Sequence, residues 1–316
     1  MNASADLLDC PVDRSTQLAA ELGRVLAAAT VVRAEEPLAR RTTLRVGGSA
    51  DAYVEPANEA DLSKLIDFCR RTGENFFVLG RGSNLLVRDG GFRGVVISLA
   101  HPHFSRIEVA GDRIWCGAGA RLKQVVMEAR RSGLSGVEFL EGIPGSVGGA
   151  LCMNAGAMGG AMFDAVESVR FMDHFGHVFE KQGREIPVAY RACALFKNHV
   201  ALDALLRCTQ ASLEEIDKRI NAFSKKRWAS QPAAPSAGCI FKNPQTIGAG
   251  QLIDELGLKG LRVGGAVVSL EHGNFIINDG HATARDVLQL IELLKQHARD
   301  SRGLELQTEV EIIGED

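Results

Sequence analysis

The chain has 316 residues, of which 46% are hydrophobic, and a formal net charge of −3. This length and composition predict a globular protein of two or three domains and argue against a disordered or fibrous chain. Because no block of basic residues is present, nucleic acid and anionic membranes are disfavoured as the main partner. No apolar run approaches the ~18 residues of a membrane span. The start of the chain is acidic, unlike a signal peptide, so we expect a cytoplasmic protein.

Seven cysteines are scattered along the chain, at positions 10, 69, 116, 152, 193, 208 and 239. Their number is odd and no two form a C-x-x-C pair, so neither a disulfide framework nor a zinc site is indicated. We therefore expect reduced thiols and no metal.

The first elements alternate between helical and extended patterns. Ser15 can cap a helix over residues 16–29, whose thin apolar face suggests a peripheral arm. Farther along, a strand precedes a helix that Asn58 caps and Gly73 ends, and a short apolar strand over residues 76–79 follows. This order of strand, helix and strand predicts an α/β layer.

A glycine-rich loop, Gly80-Arg81-Gly82-Ser83-Asn84, follows this strand directly. Its two glycines let the backbone approach an anion closely, so successive N–H groups can form a nest around phosphate oxygens. The loop lacks the Lys-Ser/Thr of a P-loop and the G-x-G-x-x-G spacing of a dinucleotide-binding turn. Taken alone, it is equally well explained as a plain tight turn.

A second glycine-rich stretch spans residues 138–157 and offers Ser146 and Asn154 as polar side chains. Its glycines and its proline exclude a regular helix or a central strand. A flexible surface loop is the alternative, but Val147 and Leu151 are apolar enough to favour burial. Together, the two loops suit a diphosphate that is approached from two sides.

Two cationic features lie in the middle of the chain. Arg191 follows Tyr190 in a mostly apolar run, where it is either an ion-pair anchor or a fixed cation for a carboxylate or phosphate. On the residues alone, the anchor is favoured. Farther on, Ser212 and Glu215 form a capping box for a helix that ends at Lys225, beside a basic cluster.

Residues 235–244 form a bend that contains two prolines, a glycine and the thiol of Cys239. Loops of this kind on a rigid scaffold often carry chemistry. A turn beside a small buried thiol is an equally good interpretation.

The end of the chain alternates between apolar and polar residues over positions 304–313, which predicts one long last strand. One face of this strand would carry Glu305, Gln307, Glu309 and Glu311. That face is either solvated or lines a cleft, in which case one carboxyl group would have a raised pKa.

Several motifs, taken in order from residue 41 to the end, resemble the UDP-N-acetylenolpyruvoylglucosamine reductase (MurB) family. They are Arg41-Thr-Thr-Leu-Arg-Val-Gly-Gly, Leu79-Gly-Arg-Gly-Ser-Asn-Leu-Leu-Val, Glu141-Gly-Ile-Pro-Gly-Ser-Val-Gly-Gly-Ala, Asn154-Ala-Gly, Tyr190-Arg191, Ser236-Ala-Gly-Cys-Ile-Phe-Lys-Asn-Pro, Gly257-Leu-Lys-Gly and Glu309-Val-Glu-Ile-Ile-Gly. So many independent motifs make a chance match very improbable. The short connections between Lys242 and His272 resemble the compact, type II branch.

The resemblance implies an α+β protein, with a two-subdomain FAD-binding fold of the vanillyl-alcohol-oxidase/PCMH type and a C-terminal α/β substrate-binding domain. It divides the chain into a helical N-terminal arm (1–35), an FAD-binding domain (36–208) and a substrate-binding domain (209–316) whose last strand carries Glu309. Non-covalent FAD would be bound by Gly80, Arg81, Gly82, Ser83, Asn84, Leu85, Gly145, Ser146, Gly149 and Asn154.

The implied activity is that of a UDP-N-acetylmuramate dehydrogenase of peptidoglycan synthesis: NADPH-dependent, FAD-mediated reduction of UDP-N-acetylglucosamine enolpyruvate. Hydride would come from flavin N5, Arg191 and Glu309 would stabilise an enolate-like intermediate, and Cys239 would protonate its α-carbon. The sugar nucleotide would be bound by Tyr190, Arg227, Asn243 and His272. We expect a monomer or a weak oligomer.

Cys239 departs from the family pattern, in which the proton donor is usually Ser. A thiol with its ordinary pKa of ~8.5 is mostly protonated at neutral pH and can donate, unless the pocket favours the thiolate. Arg191 would favour the thiolate. Thr42 also replaces a more usual Asn, which we treat as a second-order change.

Two other functions remain open. One is an oxidase of alcohols or sugars with the same fold, against which the set of Arg191, Cys239 and Glu309 and the lack of a flavin-linking His motif argue. The other is a non-enzymatic sensor of nucleotide sugars that retains the pockets without the chemistry.

Overall fold

The computed structural model describes residues 13–316. Within them the α-helices are α1 (Arg14–Val25), α2 (Glu59–Thr72), α3 (Leu122–Arg131), α4 (Val147–Cys152), α5 (Met162–Ala165), α6 (Leu213–Trp228), α7 (Ala249–Glu255) and α8 (Ala284–Arg302). The strands are β1 (Val31–Pro37), β2 (Ser49–Glu55), β3 (Phe76–Leu79), β4 (Leu85–Val87), β5 (Phe92–Ser98), β6 (Ile107–Ala110), β7 (Arg113–Gly117), β8 (Leu134–Ser135), β9 (Gly156–Ala157), β10 (Gly160–Ala161), β11 (Val166–Met172), β12 (Val178–Gln182), β13 (Val188–Ala189), β14 (Ala192–Cys193), β15 (Val200–Arg207), β16 (Thr209–Gln210), β17 (Ser236–Cys239), β18 (Arg262–Val263), β19 (Ala266–Val268), β20 (Phe275–Asn278) and β21 (Glu311–Ile313).

The first sheet has the order β1-β2-β5-β3 and carries α1 and α2. Strands β2, β5 and β3 are parallel, as the α/β layer predicts, and β1 is antiparallel to β2. The predicted bounds of α2 are confirmed: Asn58 Oδ1 accepts from the Asp61 N–H at 2.9 Å, and Gly73 ends the helix at φ 75°. Because β3 is paired with β5 up to Leu79, the position at which the glycine-rich loop begins is fixed by the sheet.

The N-terminal helix differs from its prediction in both cap and packing. Asp13, not Ser15, accepts from the Thr16 N–H at 3.0 Å, and α1 ends at Val25. Ser15 is buried, with its hydroxyl 3.4 Å from an Asp51 carboxylate oxygen. The helix is also less peripheral than predicted, because its apolar face joins the main core.

The second sheet is antiparallel, in the order β12-β11-β15-β7-β6, and packs against α3 and α4. One apolar cluster joins this sheet to the first. The prediction that residues 138–157 contain no regular helix is wrong, since α4 forms there. Ser146 caps it, and a Cβ at Gly148 would lie 3.1 Å from the Ala118 side chain, so the glycine permits this close packing.

The third sheet, β17-β20-β19-β18, packs with α7 and α8 around a second apolar cluster. Leu44, Val46 and Leu86 from the first half of the chain are buried in this same cluster. The C-terminal region is therefore packed directly onto the segments that flank the first glycine-rich loop.

The predicted long last strand is wrong in extent, because only β21, Glu311–Ile313, forms a continuous ladder there. It pairs in parallel with β4, while Thr308 bridges to Phe241 on the other side. Glu305 and Glu309 consequently have different environments: the Glu305 side chain is 67% exposed and pairs with Arg299, whereas that of Glu309 is 12% exposed.

Helix α6 begins with the predicted capping box of Ser212 and Glu215 but continues past Lys225 to Trp228. Its apolar residues pack against the core of the first two sheets, and Arg219 donates to Ser135 Oγ at 2.7 Å. The division of the chain at residue 209 stays a prediction. Among residues 13–316, no helix is long and apolar enough to cross a membrane.

We predict that Leu22→Ala lowers the free energy of unfolding by about 2–5 kcal/mol, because Leu22 is fully buried in the main core. Val25→Ala is the matched control: Val25 is 40% exposed, and its loss is expected to change stability by less than about 0.5 kcal/mol. Urea unfolding measures both. Equal midpoints for the two variants would mean that α1 is a loosely attached arm.

Candidate active site

Arg191 and Glu309 form an ion pair in which Arg191 Nε donates to Glu309 Oε1 at 2.8 Å. The Arg191 backbone is left-handed, with φ 57°, a strained conformation for a residue with a side chain. A Cβ at Gly156 would lie 3.3 Å from Arg191 Nη1, so a glycine leaves room for the guanidinium. Two of the three predicted catalytic residues are thus in direct contact.

Cys239 ends β17, where the ladder to β20 shifts register between Ser236 and Cys239. Gly238 has φ 75°, a conformation that favours glycine. Thr43 Oγ1 donates to the Ser236 carbonyl at 2.6 Å and lies 3.3 Å from the Gly82 carbonyl. The thiol is therefore presented by a bulge that is tied to the first glycine-rich loop.

Burial and nearby charges together determine the protonation of Cys239. Burial raises the pKa of this thiol to about 11, and the negative charge of Glu309 acts in the same direction. The side chains of Arg191, Arg227 and Asn274 oppose this rise in pKa. The sequence leaves open a thiolate favoured by Arg191, but burial outweighs that charge, and the thiol is protonated at neutral pH.

Glu309 and Arg227 are the other partly buried charges around the thiol. Burial raises the pKa of Glu309, against the opposing charges of Arg191 and Lys242. Burial lowers the pKa of Arg227, whose charge faces Cys239 and Glu141. Arg227 reaches this position from the last turn of α6, where the close approach of its side chain requires a glycine at position 142: a Cβ there would stand 2.5 Å from Arg227 Cδ.

The first glycine-rich loop offers a row of backbone donors. In the described part of the chain, the N–H groups of residues 80–84 donate to no protein acceptor, although the Gly82 carbonyl accepts from the Thr43 N–H at 3.1 Å. Gly82 has φ 60°. Unpaired, successive N–H groups form an anion-binding concavity. This arrangement fits the diphosphate of a dinucleotide and favours the phosphate-binding interpretation over a plain turn.

The second glycine-rich stretch differs from the first because several of its backbone N–H groups are paired within the protein. The N–H groups of Gly145, Val147 and Gly148 already donate to the carbonyls of Ile143, Ala120 and Ala118, at 2.8–2.9 Å. A Cβ at Gly80 would lie 2.9 Å from Ser146 Oγ, so the two loops meet closely at these residues. The second stretch therefore adjoins the first glycine-rich loop, but these three of its N–H groups are already paired within the protein.

Three predicted ligand-binding asparagines have their side chains engaged within the protein. Asn84 Nδ2 donates to the Glu309 carbonyl at 3.1 Å, and Asn154 Oδ1 accepts from the Phe163 N–H at 3.2 Å. Asn243 Oδ1 accepts from the Ala249 N–H at 3.0 Å, at the start of α7. These contacts brace the loops, and ligand contacts of the three residues stay predictions.

His272 and Tyr190 differ in burial and in the contacts that they make. His272 Nδ1 accepts from the Asn274 N–H at 3.1 Å, and burial lowers the pKa of this imidazole, so it is neutral. Tyr190 is 54% exposed, with the Arg191 guanidinium carbon 5.0 Å from its ring centroid.

Arg121 lies near the first glycine-rich loop, and no motif in the sequence predicts this position. It opposes Ser146 in an isolated antiparallel bridge, and Ser146 adjoins Gly80, so Arg121 and Arg81 flank the junction of the two loops. Partial burial and the charge of Arg121 lower the pKa of Arg81. Two neighbouring cations favour an anionic ligand. Their proximity depends on chain pairing that the sequence pattern does not contain.

Two family models match the chain. One, described as an FAD binding domain, matches residues 50–181. The other, described as the C-terminal domain of UDP-N-acetylenolpyruvoylglucosamine reductase, matches residues 231–313. The first includes both glycine-rich loops, and the second includes Cys239 and Glu309. The fold and the site thus define a flavin-dependent oxidoreductase.

Relatives identify the family. The UDP-N-acetylenolpyruvoylglucosamine reductase of Geobacter metallireducens is 45% identical over 283 residues, which are 89% of this chain and 94% of the relative. That of Syntrophomonas wolfei is 40% identical over 288 residues, 90% of this chain and 96% of the relative. The crystal structure of the Thermus caldophilus reductase (MurB) superposes with a TM-score of 0.78 at 41% identity, covering 90% of this chain and 98% of that chain. The chain belongs to the UDP-N-acetylenolpyruvoylglucosamine reductase family.

The comparisons confirm the resemblance, the FAD-binding fold with its distinct C-terminal domain, and the flavin cofactor. They do not test the individual site residues, whose roles stay predictions.

We predict that Arg121→Gln weakens FAD binding about twofold to fivefold at low salt, because an exposed pair of opposite charges contributes up to ~1 kcal/mol to binding. The loss should shrink as salt is added. Lys123→Gln, an exposed change two residues along the same helix, is the matched control. Titration of the apoprotein by flavin fluorescence measures both affinities. An unchanged low-salt affinity in Arg121→Gln would exclude this residue from the cofactor site.

Proposed function

We propose that the protein catalyses the NADPH-dependent, FAD-mediated reduction of UDP-N-acetylglucosamine enolpyruvate to UDP-N-acetylmuramate, with Arg191, Cys239 and Glu309 as its catalytic residues. The observation that carries these assignments is the 2.8 Å Arg191–Glu309 ion pair beside a thiol that burial keeps protonated. A fixed cation and a proton donor are what a reduction through an enolate-like species requires. The family of the chain supports the same reaction.

FAD, once reduced by NADPH, supplies the hydride. The free amides of residues 80–84, with Arg81 and Ser83, would bind its diphosphate. Leu85 would adjoin the cofactor from β4, while Gly145, Ser146, Gly149 and Asn154 would line the second side of the site.

Arg191 is suited to bind the enolpyruvyl carboxylate. Its Nε is engaged by Glu309, which leaves the two terminal nitrogens for a bidentate contact with the substrate. Negative charge that develops on the α-carbon and its carboxylate is then stabilised by a guanidinium already held in place. In this scheme Glu309 acts chiefly by fixing the plane of the guanidinium.

Cys239 donates the proton. Its S–H bond breaks as the new C–H bond forms at the α-carbon, and the sulfur retains the electron pair. Arg227 faces the thiol and would bind the anionic sugar nucleotide, together with Tyr190, Asn243 and His272.

We also infer the organisation of the working protein. Residues 36–208 would form the FAD-binding domain and residues 209–316 the substrate-binding domain, after an N-terminal segment of residues 1–35. The net charge of −3 and the small-molecule site support a cytoplasmic enzyme that acts as a monomer or weak oligomer on a dissolved substrate.

Anaerobic flavin spectroscopy tests the reaction. A yellow protein that NADPH bleaches and the enolpyruvyl substrate recolours supports the reductase. Recolouring by oxygen or a sugar alcohol, but not by the enolpyruvyl ether, would indicate an oxidase. A colourless protein that binds the UDP-sugar would indicate a sensor.

We predict that Cys239→Ala slows the reoxidation of reduced flavin by substrate about 10²–10⁴-fold, the usual contribution of a positioned acid. Reduction by NADPH should be unchanged, because that step needs no proton from Cys239. Cys239→Ser should retain most of the activity. Stopped-flow absorbance separates the two half-reactions.

The same measurement across pH tests the protonation state of Cys239. Because burial raises its pKa to about 11, reoxidation should be constant through the neutral and mildly alkaline range and fall only as pH approaches that value. In Cys239→Ser this alkaline limb should disappear. A fall in the reoxidation rate near the ordinary thiol pKa of ~8.5 would contradict the protonation state assigned to Cys239. Full activity in Cys239→Ala would show that Cys239 is not the proton donor.

We predict that Glu309→Gln lowers the rate of reoxidation about 10²–10³-fold, because an uncharged amide holds the Arg191 guanidinium less firmly where charge develops. Glu305→Gln is the matched control, since Glu305 belongs to the same segment but pairs with Arg299 at the surface. It should react at the wild-type rate. Equal rates for the two variants would remove Glu309 from the mechanism.

A further inference from the structure

Asn274 is a buried polar residue that the proposed mechanism does not use. It is 2% exposed and directly precedes β20, between the turn at His272 and Phe275. Residues of β20 face β17, so Asn274 lies across from the chain that follows Cys239.

The Asn274 carboxamide pairs with both backbone groups of Phe241. Its Oδ1 accepts from the Phe241 N–H at 2.9 Å, and its Nδ2 donates to the Phe241 carbonyl at 2.8 Å. The backbone carbonyl of Asn274 accepts from the Ile240 N–H, also at 2.9 Å. Three hydrogen bonds from one residue thus fix the two positions that follow the thiol.

These bonds take the place of a regular ladder. The register between β17 and β20 shifts between Ser236 and Cys239, and β17 ends at Cys239, so the backbone of Phe241 pairs with a side chain instead of a strand. A side-chain amide reproduces the donor and acceptor of a backbone unit and can satisfy the buried groups that the bulge leaves unpaired. The bulge can then direct Cys239 into the site without unpaired polar groups behind it.

The amide has one further N–H. Because Nδ2 carries two hydrogens and the Phe241 carbonyl takes one, the second is left to interact with the Cys239 side chain, and Asn274 lowers the pKa of that thiol. The other groups facing the sulfur are charged: Glu309 raises its pKa, and Arg191 and Arg227 lower it.

We propose that Asn274 is the positioning residue of the proton donor: its carboxamide fixes the loop after Cys239 and donates an N–H to the sulfur as negative charge develops there. The inference rests on the proposed function for its catalytic consequence. When the S–H proton forms the new C–H bond, the sulfur becomes a thiolate in a partly buried site. A neutral N–H donor stabilises that thiolate until water reprotonates it.

The test compares Asn274→Leu and Asn274→Asp with the wild-type holoenzyme. Leucine has a similar shape but no hydrogen bonds. Aspartate retains the acceptor for the Phe241 N–H but loses both amide donors, the one to the Phe241 carbonyl and the one left for the sulfur, and its negative charge also disfavours the thiolate. In both, peptide-resolved alkylation of Cys239 at fixed alkaline pH should slow about tenfold, because only the thiolate reacts. Flavin reoxidation by substrate should slow about tenfold or more, with NADPH reduction within about twofold of wild type.

A double-mutant cycle separates positioning from general loss of structure. In a Cys239→Ala background, Asn274→Leu should slow reoxidation by less than about twofold, because residues that act as a unit are not additive. Asn278→Leu is the structural control: Asn278 is a buried residue at the far end of β20, and its side-chain amide donates to the Leu44 carbonyl at 3.1 Å. It should lower thermal stability without changing alkylation of Cys239.

Two results would overturn the inference: unchanged alkylation of Cys239 in both Asn274 variants, or additive losses in the cycle. If Asn274→Leu does not fold, Asn274→Asp decides by the alkylation rate alone. Alkylation needs no substrate, so its result is independent of the proposed function. That function fails separately if bleached wild-type flavin stays bleached on addition of the enolpyruvyl ether.

Discussion

The site depends on one hydrogen-bonded stretch of backbone, the segment over residues 307–313. On one side, the Glu309 N–H donates to the Ile240 carbonyl at 2.7 Å; on the other, the Glu311 N–H donates to the Asn84 carbonyl at 3.0 Å. The segment therefore lies between the loop that carries Cys239 and the first glycine-rich loop. Two parts of the chain that are far apart in sequence are held in one geometry by backbone groups, which any residue other than proline would supply at these positions.

Next to this segment, burial shifts the pKa values of Cys239 and Glu309 more than the nearby charges do. Two arginines face the thiol of Cys239, yet its pKa rises to about 11, because removing a thiolate from water outweighs the attraction of two partly buried cations. The same balance raises the pKa of Glu309 despite its contact with Arg191. A cysteine in place of the usual serine therefore keeps its proton at neutral pH. The substitution replaces an oxygen by a sulfur without changing the charge of the side chain at neutral pH.

The sequence predicted regular elements best where caps and periodicity agree, as in α2 between Asn58 and Gly73. It failed where tertiary contacts override the pattern. The alternation over residues 304–313 is genuine, but the segment changes partners along its length, so only its end forms a ladder. Likewise, the glycines of α4 disfavour a helix locally, but close packing against Ala118 requires them.

The sequence by itself determined the family, the two glycine-rich loops and the residues from which the candidate site is built, because these reside in short motifs. Only the tertiary structure decided which loop presents free amides, how the thiol is protonated, that Arg121 lies near Arg81, and that Asn274 pairs with the backbone of Phe241. Those properties depend on burial and on pairing between distant segments. Both arise from the whole fold, so no local pattern of residues can encode them.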